Sequence, residues 1–244
     1  MRKLLLSLGT VAVALGLALA PTVAQAVTPS GNRIGGATGT QTFTGVGKAP
    51  ITATVAGLVS VTCTSASASG TVSAASPVPA PWLSVNNLSL NCPSIIPSLA
   101  VVISYDTKCV TAAGIGFSAP SSTTALTTMA SAVAPFAGPY DTALTGTANF
   151  GTSGASGTNG CVNVNFGNGA CTFQLWGNVG YTFDETPKAG PPASQLLTLD
   201  GTLTMAKVTG GSCVPGLIAN GNAVTLHVPL NITTGTGGLI DFIP

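Results

Sequence analysis

One histidine limits the acid–base chemistry open to this chain. His227 lies in Val224-Thr-Leu-His-Val-Pro-Leu230, on the polar parity of an alternating run, where a surface side chain is the plain expectation. A Ser-His-Asp triad would need that imidazole as its base, since triads are recognised by geometry and not by order in the chain. No G-x-S-x-G elbow accompanies it, so the α/β-hydrolase device fails on motif as well as fold. Carboxylates are few: Asp106, Asp141, Asp184, Glu185, Asp200 and Asp241. Glycoside hydrolysis needs two of them facing each other across a cleft. Asp184-Glu185 runs into Thr186-Pro187 and reads as a solvated turn, while Asp200 stands among threonines on a polar strand face. A pair built from Glu185 and Asp200 is conceivable, but no spacing points to it. No catalytic residue is assigned, and the chain reads as a non-enzyme.

Metal and cofactor chemistry also lacks its residues. There is no C-x-x-C pair, a single His, and no D-x-[DN]-x-[DN]-G loop for calcium. No metal and no cofactor are expected. Sugar binding is the better-supplied chemistry, because it needs an exposed aromatic for stacking and amides or carboxylates for the hydroxyls. Trp176 breaks the otherwise polar parity of its strand, with Gln174 and Asn178 beside it in sequence and Asp200 on another polar strand face. Trp82, in Pro79-Ala-Pro-Trp82, sits in a rigid loop that either presents the ring or buries it. The bland alternative for Trp176 is packing beneath residues 119–139. Asn87-Leu-Ser89 and Asn231-Ile-Thr233 match the glycosylation acceptor pattern, a short motif that carries little weight by itself.

The N-terminus sets the compartment. Arg2 and Lys3 precede an apolar run over residues 4–20, and Ala24-Gln25-Ala26 supplies a small-x-small cleavage pattern. Residues 1–26 are therefore read as a signal peptide, with the mature chain starting at Val27 and secreted to the exterior or the cell wall. The six cysteines, Cys63, Cys92, Cys109, Cys161, Cys171 and Cys213, all follow it. An even number in an exported chain suggests disulfides, with about 15 connectivities if all pair.

Composition narrows the partners. Removing Arg2 and Lys3 from the seven basic residues leaves five against six acidic ones, a net charge of −1. No basic stripe exists to neutralise phosphates, so nucleic acid is excluded as a partner. Charged residues make up 5% of the chain, against about 25% in ordinary soluble domains. A near-neutral surface of Thr, Ser, Gly, Asn and Ala associates readily. The tail, residues 239–244, is too short to span a bilayer, and the strands are mostly short for a membrane barrel. No membrane span is expected in the mature chain.

The elements that must position these groups are strands. Val59, Val61 and Cys63 alternate with Ser60 and Thr62; Leu88, Leu90 and Cys92 alternate with Ser89 and Asn91; Leu99, Val101, Ile103 and Tyr105 repeat the pattern. Across residues 171–183, Cys171, Phe173, Leu175, Val179, Tyr181 and Phe183 share one face, with Gly177 marking a bulge or bend. Leu197, Leu199, Leu203 and Met205, then Val224, Leu226, Val228, Leu230 and Ile232, complete the set. Half-buried strands of this kind belong to antiparallel sheets. The expected fold is an all-β antiparallel β-sandwich, stapled by disulfides, with barrel-like closure as the alternative. Residues 27–44 read as an irregular arm, and residues 45–244 as the β-sandwich domain. Within it, residues 119–139 lose the alternation and form a long loop, a short helix near residues 125–133, or a boundary between two β modules.

Val61-Thr-Cys-Thr-Ser-Ala-Ser-Ala-Ser-Gly-Thr-Val72, followed by Leu88-Ser-Leu-Asn-Cys92, resembles a group of poorly characterised, secreted, β-rich, cysteine-containing proteins of actinobacteria. Gly211-Ser-Cys-Val-Pro-Gly216 has the same flavour. The resemblance covers the middle third to half of the chain and implies an exported actinobacterial protein; it brings no catalytic residues with it. Cys63–Cys92 is the preferred disulfide, since both lie on core-facing parities. Cys171–Cys213 comes next and leaves Cys109–Cys161, with Cys161–Cys171 as the local rival. The functional expectation is a secreted cell-envelope or extracellular structural or adhesion protein without catalytic activity. The alternative is a carbohydrate-binding module using Trp176, Trp82, Gln174, Asn178 and Asp200. Its expected partner is a cell-wall polysaccharide or a second copy of itself.

Overall fold

A computed structural model of the chain describes residues 26–92, 101–105, 114–154, 157–160, 162–166, 170–188 and 192–244. Its first strands are β1 (Gly31–Ile34), β2 (Gly39–Gly47), β3 (Ile51–Val55), β4 (Val59–Cys63), β5 (Ser65–Ala74) and β6 (Leu83–Cys92). The middle holds β7 (Val101–Tyr105), β8 (Ile115–Phe117), β9 (Leu144–Asn149), β10 (Gly151–Gly154), β11 (Gly157–Gly160) and β12 (Val162–Phe166). The last are β13 (Cys171–Trp176), β14 (Asn178–Lys188), β15 (Ser194–Thr209), β16 (Ala223–Thr234) and β17 (Ile240–Ile243). Alternation makes them: in β13 and β14 the odd-numbered residues from Cys171 to Leu175 and from Val179 to Glu185 are buried, and their even-numbered neighbours face outward.

Thirteen strands join one antiparallel sheet in the order β4-β3-β16-β2-β5-β6-β7-β12-β13-β15-β14-β9-β8, with further pairings of β15 with β16 and of β6 with β8. Those two pairings close the ladder on itself. Going round, β2 with β3 is followed by β4 with β5, then β6, then β7 with β8. Next come β12 with β9, β13 with β14, then β15, and β16 returns to β2 and β3. The expected all-β antiparallel fold is thus found, with its barrel-like closure. Inner faces meet as in a sandwich and bury Phe43, Leu83, Leu90, Leu144, Leu197 and Leu230. Each such side chain contributes roughly 1.5–3 kcal/mol on burial. Outward positions carry Thr, Ser and Asn, the reverse of a lipid-facing barrel wall. Among the described residues no helix is long and apolar enough to cross a membrane.

One expectation is corrected. Residues 27–44 are not irregular: they hold β1, which pairs with β17, and most of β2, which pairs with β5 and β16. Of the readings of residues 119–139, the long loop is the one found, without the short helix near residues 125–133. The excursion is tied by bridges of Ser121 to Thr145, Ser122 to Val27 and Ser131 to Ala137. β8 before it and β9 after it pair directly, Gly116 opposite Asn149.

Two glycines do specific work. Gly177, at φ 129°, separates β13 from β14 and lets one continuous partner, β15, follow both. Gly146 lies opposite Tyr181, where a Cβ would come within 2.6 Å of the phenol ring. Disulfides join Cys63 to Cys92 and Cys171 to Cys213, as preferred from the sequence, and the second excludes Cys161–Cys171. Cys109 and Cys161 lie outside the described residues, as does Asp106.

Candidate functional site

The outward face of β13, β15 and β16 carries most of the sequence-predicted site. Trp176 is half-buried on it, opposite Thr204, and Gln174 is half-buried opposite Ala206. Asn178 and Asp200 are exposed. Asp200 lies four residues along β15 from Thr204, about 13 Å at strand rise. The structure therefore places these groups on one wall without converging them. Ala206, on the same outward parity, is buried, and β11 lies against both β13 and β15.

Asp200 is paired with His227, its direct cross-strand neighbour: Nδ1 lies 3.2 Å from Oδ2. Their side chains are 64% and 39% exposed, which places the pair in water. The other cross-strand neighbour of His227 is Thr52, so the imidazole has threonine and aspartate beside it in its row. Such a surface pair contributes at most about 1 kcal/mol. The Glu185–Asp200 pairing is not formed, because Glu185 faces the interior.

Trp82 is wholly inside. Its indole packs against Phe242 at 5.0 Å, Phe183 at 5.5 Å, Tyr181 at 6.1 Å and Phe117 at 6.4 Å between ring centroids. Nε1 donates to the Tyr181 hydroxyl at 2.9 Å, which donates in turn to the Ser118 carbonyl at 2.7 Å. Burial pushes the Tyr181 phenol well above its ordinary value, against the opposing effect of its two hydrogen bonds. No face of Trp82 remains for a sugar to stack on.

A polar node that the sequence reading missed joins this aromatic cluster to the chain ends. Glu185 is fully buried, contrary to the solvated turn expected for Asp184-Glu185. Its Oε1 accepts the Phe242 amide at 2.8 Å and its Oε2 the Asp141 amide at 3.1 Å. Asp141 accepts the amide and hydroxyl of Thr127. Asp241, also fully buried, accepts the Met129 amide and pairs with Arg33 at 2.7 Å. Gln195 completes the node, donating to the Glu185 and Ile240 carbonyls and accepting the Ile240 amide. Desolvation outweighs the two amide hydrogen bonds, and the charges of Asp241 and Asp141 add to it, so the Glu185 carboxyl is pushed up to about 8. Asp184 points the other way: although burial would raise it, bonds from Lys188 and Thr186 hold it below the usual carboxylate range.

The signal for Glu185 was in the period of two. It shares the odd parity of Phe183, Tyr181 and Val179, so the pattern itself aims it inward. Asp241 carries no such signal: alternation would set it opposite to Ile240 and Phe242, yet all three are buried. These carboxylate oxygens are occupied by backbone amides, Thr127 and Arg33; among the described residues no group of three or more His, Cys, Asp or Glu is arranged to hold a metal. No protein-family model matches the chain, and no curated protein or solved structure is detectably similar to it.

Proposed function

We propose that this chain is a secreted, non-catalytic cell-envelope or extracellular structural protein with an adhesive outer surface. The observation that carries the reading is the character of the wall. From Ala49 to Tyr105 the sequence has no Asp, Glu, Lys, Arg or His, and the outward positions of β4 and β5 are Ser and Thr. A wall of neutral hydroxyls meets neighbouring polymers through hydrogen bonds and exerts no charge repulsion on a second copy. The acid set supports the same reading, because Asp141, Glu185 and Asp241 fasten chain segments together. The leader-like residues 1–26 and the actinobacterial resemblance support export.

A carbohydrate-binding role is the second reading, and the half-buried outward Trp176 favours it. Gln174, one position along the same face, is its nearest candidate for contacting sugar hydroxyls. The disulfide-bonded chain is tested by pull-down on cell walls and insoluble polysaccharides, with light scattering for self-assembly. Growth into oligomers, or retention that free sugar does not compete away, is the expected result. Saturable retention that is competed by sugar and lost in Trp176→Ala would replace the structural reading with the second one.

A further inference from the structure

The Glu185 node is the place where separate parts of the chain are fastened. Its carboxyl holds the amide of Phe242 in β17 and that of Asp141 at the end of the excursion. Asp141 and Asp241 then fix Thr127 and Met129 further back in the same excursion. Beyond these polar bonds, β17 pairs in a two-stranded sheet only with β1, separate from the closed ladder. Gly235, Gly237 and Gly238 lie between β16 and β17, with Gly237 at φ 72°. This C-terminal strand is held by a short ladder, by the buried side chains of Ile240 and Phe242 in the core, and by the node.

Charge at the node does not balance. Asp241 faces Glu185 from β17, and Asp141 faces it from the excursion. Arg33 of β1 is bound to Asp241. β15 offers the uncharged Gln195. Asp184 and Lys188, on the strand of Glu185 itself, are paired with each other at 2.7 Å. Tyr140 packs nearby against Met129 and Leu239. Three buried carboxyls thus face one guanidinium, and in low dielectric a second uncompensated anion is costly. We propose that Glu185 is the bolt of a proton-controlled latch: protonated, it adds no further uncompensated charge to the node, and on ionisation the demand of the buried anion for water outweighs its two amide hydrogen bonds, which favour the charged form, and draws β17 and the excursion open. This goes beyond the structural role proposed above and does not depend on it. Burial and the two neighbouring anions place the release at mildly alkaline pH, consistent with the carboxyl's rise to about 8.

Phe242 makes the event visible, because its ring lies 5.0 Å from Trp82 at 86°. The test follows Trp82 emission and quenching in the disulfide-bonded Trp176→Phe chain from about pH 6 to about pH 9.5, below ordinary tyrosine ionisation. The expected result is a single transition near pH 8 with unchanged far-ultraviolet circular dichroism, and its disappearance in Glu185→Gln. Asp241→Asn, which removes a facing anion, should move the midpoint to lower pH. It provides the test if Glu185→Gln does not fold. A transition that survives in Glu185→Gln, or a midpoint unmoved in Asp241→Asn, overturns the latch. So does simultaneous loss of β structure, which would mean global unfolding, and so does Trp82 emission that stays flat across the range.

Discussion

Removing one oxygen atom from Tyr181 tests whether the aromatic interior is set by packing alone or also by its hydrogen bonds. Tyr181 is 2% exposed, and its hydroxyl is the acceptor for Trp82 Nε1 and the donor to the Ser118 carbonyl. Tyr181→Phe keeps the ring, so contacts with Phe117 and Trp82 survive, but the buried Trp82 Nε1–H and the half-buried Ser118 carbonyl lose their partner. Each net hydrogen bond contributes about 1 kcal/mol, and an orphaned buried group costs about 1–3 kcal/mol more than a solvated one. The expected loss is therefore about 2–4 kcal/mol. Phenylalanine is more easily desolvated than tyrosine, which places the result toward the lower end. For a chain of this length that corresponds to a fall in Tm of about 4–16 °C. Urea unfolding of the oxidised protein, with Trp82→Phe and the double variant completing a cycle, would isolate the indole–phenol bond. A coupling of about 1 kcal/mol is expected. A Tyr181→Phe variant within about 0.5 kcal/mol of the parent would refute the reasoning, and would mean that water reaches both groups.

The pH dependence of stability has a definite sign. Glu185 has its carboxyl raised from 4.5 to about 8 in the folded chain, so between those values the native state holds a proton that the unfolded state lacks. Its contribution is fully present below about pH 4.5 and is lost as pH rises through about 8, by at most about 5 kcal/mol. Comparing urea midpoints of the parent and Glu185→Gln at about pH 5 and about pH 8.5 should show the parent losing more. Removing Cys63–Cys92, with its separation of 29 residues, should cost about 3.6 kcal/mol by the loop-entropy model. Removing Cys171–Cys213, with a separation of 42, should cost about 3.9 kcal/mol by the same model. Equilibrium unfolding of the paired Cys→Ala variants measures both.

Where apolar side chains fill alternate positions, the strands were legible. β13 and β14 follow their sequence parity, β15 and β16 follow it except where Ala206 and Pro229 are also buried, and Gly177 falls at the break it suggested. β2 was missed because its inward positions are Gln41, Phe43, Gly45 and Gly47, of which one alone is a large apolar residue. Crowding explains that choice: a Cβ on Gly47 would lie 2.6 Å from the Ile51 side chain and 2.8 Å from that of Ala66. β8, with three residues, is too short for a period to register. Closure rests on β15 meeting β16 and β6 meeting β8, and strand alternation carries no record of which edges join. For the site, parity put Asp200 and His227 outward and Trp176 among polar neighbours. It could not show that Trp82 lies inside or that Asp141, Glu185 and Asp241 converge, since those come from distant parts of the chain.

The distribution of charge has a consequence for whatever this wall touches. Asp141, Glu185 and Asp241 are buried, Asp184 is paired with Lys188, and Asp200 lies beside the histidine of the adjacent strand. Among the described residues little fixed charge is left outside, and the sequence has none between Ala49 and Tyr105. Attraction between exposed charges decays over about 8 Å at physiological ionic strength, whereas hydrogen bonding and apolar contact do not depend on screening. Association of the chain with itself or with a wall polymer should therefore hardly change between about 0.05 M and about 1 M sodium chloride, at most by a factor of about two. Light scattering and polysaccharide retention across that range measure it. A fall of about tenfold or more would mean that a few remaining charges, with Lys48, Lys207 and Asp200 the first to replace, carry the contact, and the neutral-wall reading of this surface would be wrong.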